Sequence, residues 1–563
     1  MVTNKYITRI ASVIMAAAVI LCLMASLFSD KLQEVYGNNA VTMKYESKLF
    51  NTDQIMDIDI LMDEDDWNDM LENAISEEYY SCDVVVNGKT FYSVGIRPKG
   101  NTSLSSIVND PDTDRYSFKL EFDHYIEGQT CYGLDKLILN NNYADATNMK
   151  EAIVYDMYQY LGVDASLYNY AKISVNGDYR GVYLALEAVE DSFMLRNYGT
   201  EDGNLYKPEN MGVGGGMDGK DGDGWQMGEK PDGEDFPQKG EMPDGEDFPQ
   251  MGEAPNGEAA DIKMGIMGGN GGADLNYTDD DLDSYSTIWD GEITDSDKKD
   301  HKRVVEALKN ISEGTDLETY MDVDNILKYM AVHTFVVNDD SLSGTMAHNY
   351  YLYEYNGKLN ILPWDYNISF GGMSMGGGMG GQSSGATSVI NDAIDTPFSI
   401  TSFFDALLEN EEYLEQYHEY LNELVEKYVN GGEFEKTYER IRSQIDDLVG
   451  NDPTAFYSYE EYEEAANMLI EVVQLRAKSV SGQLAGTIPS TDEGQQQDSS
   501  NLIDGSDIDL SVMGSFSGGG GGNEGQGKDN GFAGTPQPFD AGDVSPISEE
   551  KADLQDSNQD SVK

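Results

Sequence analysis

Residues 338–372 read NDDSLSGTMAHNYYLYEYNGKLNILPWDYNISFGG. Two runs rich in apolar and aromatic residues flank Asn356-Gly357, a dipeptide that favours a tight hairpin turn because both residues tolerate positive φ. The run before the turn opens at Asn349, and the run after it closes at Trp364, with Asp365 next in line. A hairpin returns its two ends to one place, so Asn349 and Asp365 are expected side by side. Asp340 stands in a loop that follows a mostly apolar helical segment at 323–338 and is expected close by. Two carboxylates and an amide oxygen converging at a hairpin mouth suit Mg2+, a hard cation that takes oxygen ligands.

The segments on the N-terminal side read mainly as strands. DIDILM (57–62) and YSFKLEFD (116–123) alternate apolar and polar residues, and two further hairpins turn at Asn87-Gly88 and Asn176-Gly177. Helical spacing interrupts them at 64–74, at 147–162 with a stop at Gly162, and at 190–199 with a stop at Gly199. The C-terminal side is helical at 301–311, 399–429 and 434–484. Strands first and helices after give an α+β fold with a strand-rich N-terminal half and a helix-rich C-terminal half, not a regular βαβ alternation.

The folded region is expected over 42–485, with two interruptions. Residues 211–272 are rich in Gly, Asp, Met and Pro and carry a twelve-residue repeat, EKPDGEDFPQKG at 229–240 and EMPDGEDFPQMG at 241–252. So polar a unit buries too little apolar surface to offset its ordering entropy, and it reads as a flexible insertion. A Gly/Met-rich loop occupies 371–390, and 486–563 form a low-complexity tail expected to be disordered. At the other end, Lys5 and Arg9 precede an apolar run at 10–28, so residues 1–30 are expected to be a signal peptide or a membrane-spanning signal anchor. The positive flank keeps that end in the cytoplasm, so the remainder would be exported and extracellular or held at the cell surface.

The formal net charge of −67 argues against nucleic acid as a partner, because phosphate backbones require Lys and Arg. Outside the apolar run the cysteines are Cys82 and Cys131, which would permit one disulfide in an exported protein, and no zinc pattern is present.

The order Asp340, Asn349, Asp365 is also the order in which protein kinases place their catalytic base, a metal-holding Asn and a metal-holding Asp after a short hairpin. There is no His-Arg-Asp or Asp-Phe-Gly here, and the first gap is longer than usual. Five stretches in register resemble the spore-coat protein H (CotH) family: GIRPKGNTS (95–103), YSFKLEFD, LDKLILNNNYADATNMKEAIVYDM (134–157), GVYLALEAVEDSFMLRNYG with GNLYKP (181–208), and 338–372. The resemblance implies an atypical protein-kinase-like fold, ATP with Mg2+ or Mn2+ as cofactors, and phosphate transfer to Ser or Thr of coat or envelope proteins. On it, Asp340 would be the catalytic base, and Asp365 and Asn349 the metal ligands. Lys119 would be the lysine that neutralises ATP phosphates. The 95–103 turn would cover the nucleotide, with Arg97 and Lys99 as phosphate contacts and Lys207 as another. Glu187 would pair with Lys119 or lie at the adenine-side hinge, with Glu151 the rival partner. His348 is given no catalytic role. The competing expectation is a non-catalytic surface scaffold that uses the same fold, since ATP is scarce outside cells and fold does not guarantee activity.

Overall fold

The computed structural model describes residues 40–209, 271–344, 346–372, 385–398 and 400–514. The N-terminal apolar run, the repeats, most of the Gly/Met-rich stretch and the tail beyond Gly514 lie outside the described residues. The three Asn-Gly turns form as expected, with φ from +50° to +87° at Asn87, Gly88, Asn176, Gly177, Asn356 and Gly357.

Seven strands close into a barrel: β1 (Met56–Leu61), β2 (Tyr80–Val86), β3 (Lys89–Lys99), β4 (Ser117–Glu121), β5 (Lys136–Asn140), β6 (Tyr168–Val175) and β7 (Asp178–Glu187), in the order β1-β2-β3-β4-β5-β7-β6. The ring closes because β1, antiparallel to β2, also runs parallel to β6. Pleating sends alternate side chains to opposite faces. Val94, Ile96, Phe118, Leu120, Leu137, Leu139 and Ala185 therefore belong to the barrel's own core. Their alternates Ile138, Leu184 and Leu186 join a second core with the helix Lys150–Leu161. Strands buried on both faces read as continuous apolar runs, which explains VYLAL at 182–186.

The second core is built around the helix Val323–Val336, buried over most of its length, and a small sheet in the order β10-β9-β8. Here β8 is Asn204–Tyr206, β9 Tyr350–Tyr355 and β10 Lys358–Pro363. The helices Glu411–Glu423, Glu433–Val449 and Tyr459–Leu484 complete this body. Within the last of them Arg476, 1% exposed, donates to the carbonyls of Thr334 (2.7 Å), Phe335 (3.1 Å), Ile390 (3.2 Å) and Asp392 (2.7 Å). Two of these are among the last carbonyls of the Val323–Val336 helix, which have no acceptor role left within the helix.

Four expectations change. Residues 95–99 are not part of a turn: they are the end of β3, paired with β4 from Gly95↔Glu121 to Lys99↔Ser117, and Thr102–Val108 is a helix. The Gly/Met-rich span shortens, because Ala386–Ile390 is helical and buries Val389 and Ile390. The order attributed to 42–485 continues to Gly514: Ile488 and Met513 are buried, and Met513 accepts from Ala146 N (3.1 Å). Cys82 and Cys131 are both free, and burial in the barrel core pushes each thiol up to about 12. Among the described residues no helix is long and apolar enough to cross a membrane.

Candidate functional site

The Val323–Val336 helix stops at Val337, whose φ of +49° turns the chain out of the helix. The loop that follows is held from below by its own backbone. Asn338 O accepts from Ser341 Oγ (2.7 Å) and Ser343 Oγ (3.1 Å), while Asn338 Nδ2 donates to Asp365 O (3.3 Å). Both hydroxyls also meet His333 Nε2, Ser343 at 2.8 Å and Ser341 at 3.3 Å. On the other side of the ring, His333 Nδ1 lies 3.0 Å from Tyr366 Oη, which accepts from Tyr158 Oη at 2.6 Å. Burial alone drives His333 down to about 3, so its imidazole is neutral. This buried relay ties the loop carrying Asp340 to the loop carrying Asp365.

The register of the hairpin, Pro363↔Tyr350, sets Asn349 and Asp365 at its mouth, as the sequence led us to expect. Asn349 and Asp365 both take left-handed backbone, φ +57° and +60°, a conformation that Asn and Asp adopt more readily than other non-glycine residues. Asn349 Nδ2 donates to Asp340 O (2.8 Å) and Oδ2 (3.1 Å), and the amide keeps its Oδ1 as an acceptor. His348 Nε2 lies 2.5 Å from the other carboxylate oxygen, Asp340 Oδ1. Burial opposes the imidazolium of His348, but the hydrogen bond and charge of Asp340 outweigh it and hold the group above its ordinary value.

Asp365 is half-buried. Burial raises its pKa and the charge of Asp340 adds to the rise, while Lys99, Lys207 and His348 oppose it. Glu151, on the helix Lys150–Leu161, faces the same charges. Burial and the Asp365 carboxylate push it above the carboxylate range, and Lys99 pulls it back. Its Oε2 accepts from Asn140 Nδ2 (2.6 Å) and its Oε1 from Tyr366 N (3.4 Å). Lys99 Nζ stands 5.3 Å from the centre of the Trp364 ring. Lys207 Nζ pairs with Glu209 (2.6 Å) and lies 5.9 Å from the Tyr351 ring. The structure therefore brings together Asp340, Asn349, Asp365, Lys99, Lys207 and Glu151, and adds His348.

Three residues named from the sequence sit elsewhere. Lys119 Nζ is bound to Glu190 Oε1 (2.8 Å), and Lys136 holds the other oxygen of Glu190. Burial disfavours the Glu190 charge, but the two lysines hold it below the usual carboxylate range. Arg97 is buried against Glu77, donates to Pro98 O (3.1 Å) and stacks 5.4 Å from the Tyr79 ring. Glu187 does not pair with Lys119. It accepts from Arg196 Nε (2.9 Å) and Nη2 (2.6 Å), Tyr45 Oη (2.5 Å) and Leu167 N (3.1 Å).

The donor set fits a hard divalent cation. It offers two carboxylates and one amide oxygen, with the Asn338 Oδ1 buried nearby in the same loop without a hydrogen-bond partner. Among the described residues no group of three or more His, Cys, Asp or Glu side chains is placed to hold a metal ion by itself. Mg2+ typically takes one or two protein carboxylates and completes its shell with waters and substrate phosphates, so an open set of this kind suits it.

A family model described as CotH kinase protein matches residues 96–480. The chain belongs to the CotH kinase protein family. No curated protein matches it. The CotH match opens inside β3, three residues before Lys99, and closes inside the helix Tyr459–Leu484. It therefore takes in every residue that the site gathers. The strands β1 and β2, which complete the barrel, precede the matched CotH span.

Proposed function

We propose that this CotH-family chain is an exported, atypical protein kinase that transfers the γ-phosphate of ATP to Ser or Thr hydroxyls of envelope or coat proteins. One observation carries the reading: Asp340, Asn349 and Asp365 meet at the mouth of the β9–β10 hairpin with Lys99 and Glu151 against them. The barrel and the helical body take the parts of the two lobes of a kinase-like fold. Asp340 accepts the proton of the attacking hydroxyl and orients its oxygen. Asp365 and the Asn349 Oδ1 would hold Mg2+ or Mn2+, which when bound offsets the charge of the phosphates. Lys99 is the lysine whose charge reaches both Asp365 and Glu151, so it takes the phosphate-neutralising role that the resemblance assigned to Lys119. Lys207 supplies a second positive charge near Asp365. Export and attachment through the N-terminal segment rest on the positive flank and the apolar run of residues 5–28.

The test is transfer of labelled γ-phosphate by the full chain in detergent with Mg2+ or Mn2+, beside Asp340→Ala and Asp365→Ala. Autophosphorylation or labelling of a Ser-rich acceptor, lost in both variants, supports the assignment. Undiminished labelling by Asp365→Ala would sink it.

A further inference from the structure

We propose that His348 is a positioning residue for Asp340: its Nε2 hydrogen bond to Asp340 Oδ1, with Asn349 Nδ2 on Oδ2, fixes the carboxylate in the one orientation that can receive a substrate hydroxyl. The inference rests on the phosphotransfer reading given above.

A carboxylate on a free loop samples several χ1 and χ2 settings, and a catalytic base is effective only when its lone pair already points at the proton it will take. Backbone alone does not hold Asp340 here. Its loop includes Ala347 at positive φ, a strained setting that neighbouring interactions must sustain, and Asn349, a residue type that adopts positive φ more readily. The side chain is held instead by one donor on each oxygen. Asn349 donates to Oδ2 at 3.1 Å and to the Asp340 backbone oxygen at 2.8 Å, so it clamps the residue at two points. His348 donates to Oδ1 at 2.5 Å. Each carboxylate oxygen has a further lone pair, so two donors leave room for the hydroxyl. The side chains of Asp340 and His348 are 20% and 15% exposed, which leaves the pair open on one side while shielding the bond between them from competing water. His348 stands next to Asn349 in the chain, and the positive φ of Asn349 lets both side chains turn back onto the same carboxylate. Two consecutive side chains serving one acceptor are a local arrangement that no other carboxylate of the site has.

His348→Leu and His348→Gln separate this role from a structural one, because glutamine keeps an N–H donor at similar reach and leucine does not. Steady-state transfer by the full chain gives kcat and KM for Mg-ATP, and nucleotide-induced stabilisation gives ATP binding independently. His348→Leu is expected to lower kcat by about 10- to 100-fold, the range for losing a hydrogen bond to a charged group, with KM changed by less than about threefold. His348→Gln is expected to recover most of that loss. Unchanged kcat in His348→Leu, or equal loss in both variants, overturns the inference while the wild type's activity leaves the phosphotransfer reading standing. A folded wild-type chain that transfers no phosphate to any acceptor overturns that reading and this inference with it.

Discussion

Lys99 and Lys119 stand on neighbouring strands of one sheet, yet their partners differ. Lys119 is held by Glu190 at 2.8 Å, and Lys99 lies beside Trp364 with its charge felt by Glu151 and Asp365. The expected outcome is therefore unequal. Lys99→Met should lower kcat/KM for phosphate transfer by about 100-fold or more, as removal of a preorganised charge commonly does, while Lys119→Met should cost less than about tenfold. Steady-state kinetics on the two variants decides it, and a larger loss from Lys119→Met would reverse the assignment. The sequence made Asp340, Asn349 and Asp365 legible because an Asn-Gly hairpin carries its own geometry: once the turn is placed, its ends must meet. It could not separate the two lysines. Both lie in alternating segments, and which one reaches Asp365 depends on the β3–β4 register, Arg97↔Lys119 and Lys99↔Ser117, and on where the distant helix bearing Glu151 docks. His348 has no nucleophile partner in the sequence pattern, and its bond to Asp340 is set by the fold of their loop.

At the level of elements, the relay Tyr158–Tyr366–His333–Ser343 joins three of them: the Lys150–Leu161 helix, the segment after β10 and the Val323–Val336 helix with its loop. His333 is buried and neutral, held down to about 3, whereas in the unfolded chain it titrates near its ordinary value. A depressed folded pKa means that the unfolded state takes up the proton first. The stability His333 contributes is thus present above about pH 6.5 and drains away as pH falls towards 3. Between pH 7 and pH 5 the wild type should lose about 2 kcal/mol more than His333→Gln, read from urea unfolding of both at the two pH values. Parallel losses would show that His333 is not buried in neutral form. The helix itself was readable from its apolar run. Its terminal carbonyls gave no sign that Arg476 would serve them, because that pairing joins positions remote in sequence.

On the scale of the whole molecule, a buried ion pair pins the barrel to the helical body, alongside the apolar core they share. Arg115 Nη1 meets Asp452 Oδ1 and Oδ2 at 2.9 and 2.8 Å, both side chains 2% exposed, and Nη2 donates to Val182 O (2.6 Å). Asp452 in turn accepts from Val182 N (3.0 Å), so it binds β7 directly. Removing one member strands the other charge in a dry site, so Asp452→Ala should destabilise by about 3–5 kcal/mol, and adding Arg115→Met should recover part of the loss. Chemical denaturation measures both, and a cost below about 1 kcal/mol for Asp452→Ala would refute the pinning role. The division into a strand-rich and a helix-rich half was visible in the order of patterns. Closure of the barrel was not, because β1 and β6 are joined by parallel pairing across a long stretch of chain, and nothing local marks either strand as the other's neighbour. The ordered start of the tail gives little signal because apolar residues such as Ile488 and the short run Ile508, Leu510, Val512 and Met513 are few and separated by a long, mostly polar stretch.

Arg476 also bears on how the molecule is made. The ligand for the end of the Val323–Val336 helix lies 141 residues beyond Phe335, one of the carbonyls it serves. During vectorial synthesis the loop bearing Asp340 leaves the ribosome long before Arg476, which binds the end of the helix that precedes that loop. A nascent chain thus carries Asp340, Asn349 and Asp365 before Arg476 can reach the carbonyls of Thr334 and Phe335. A cut between residues 337 and 475 would leave the helix end and Arg476 on separate fragments.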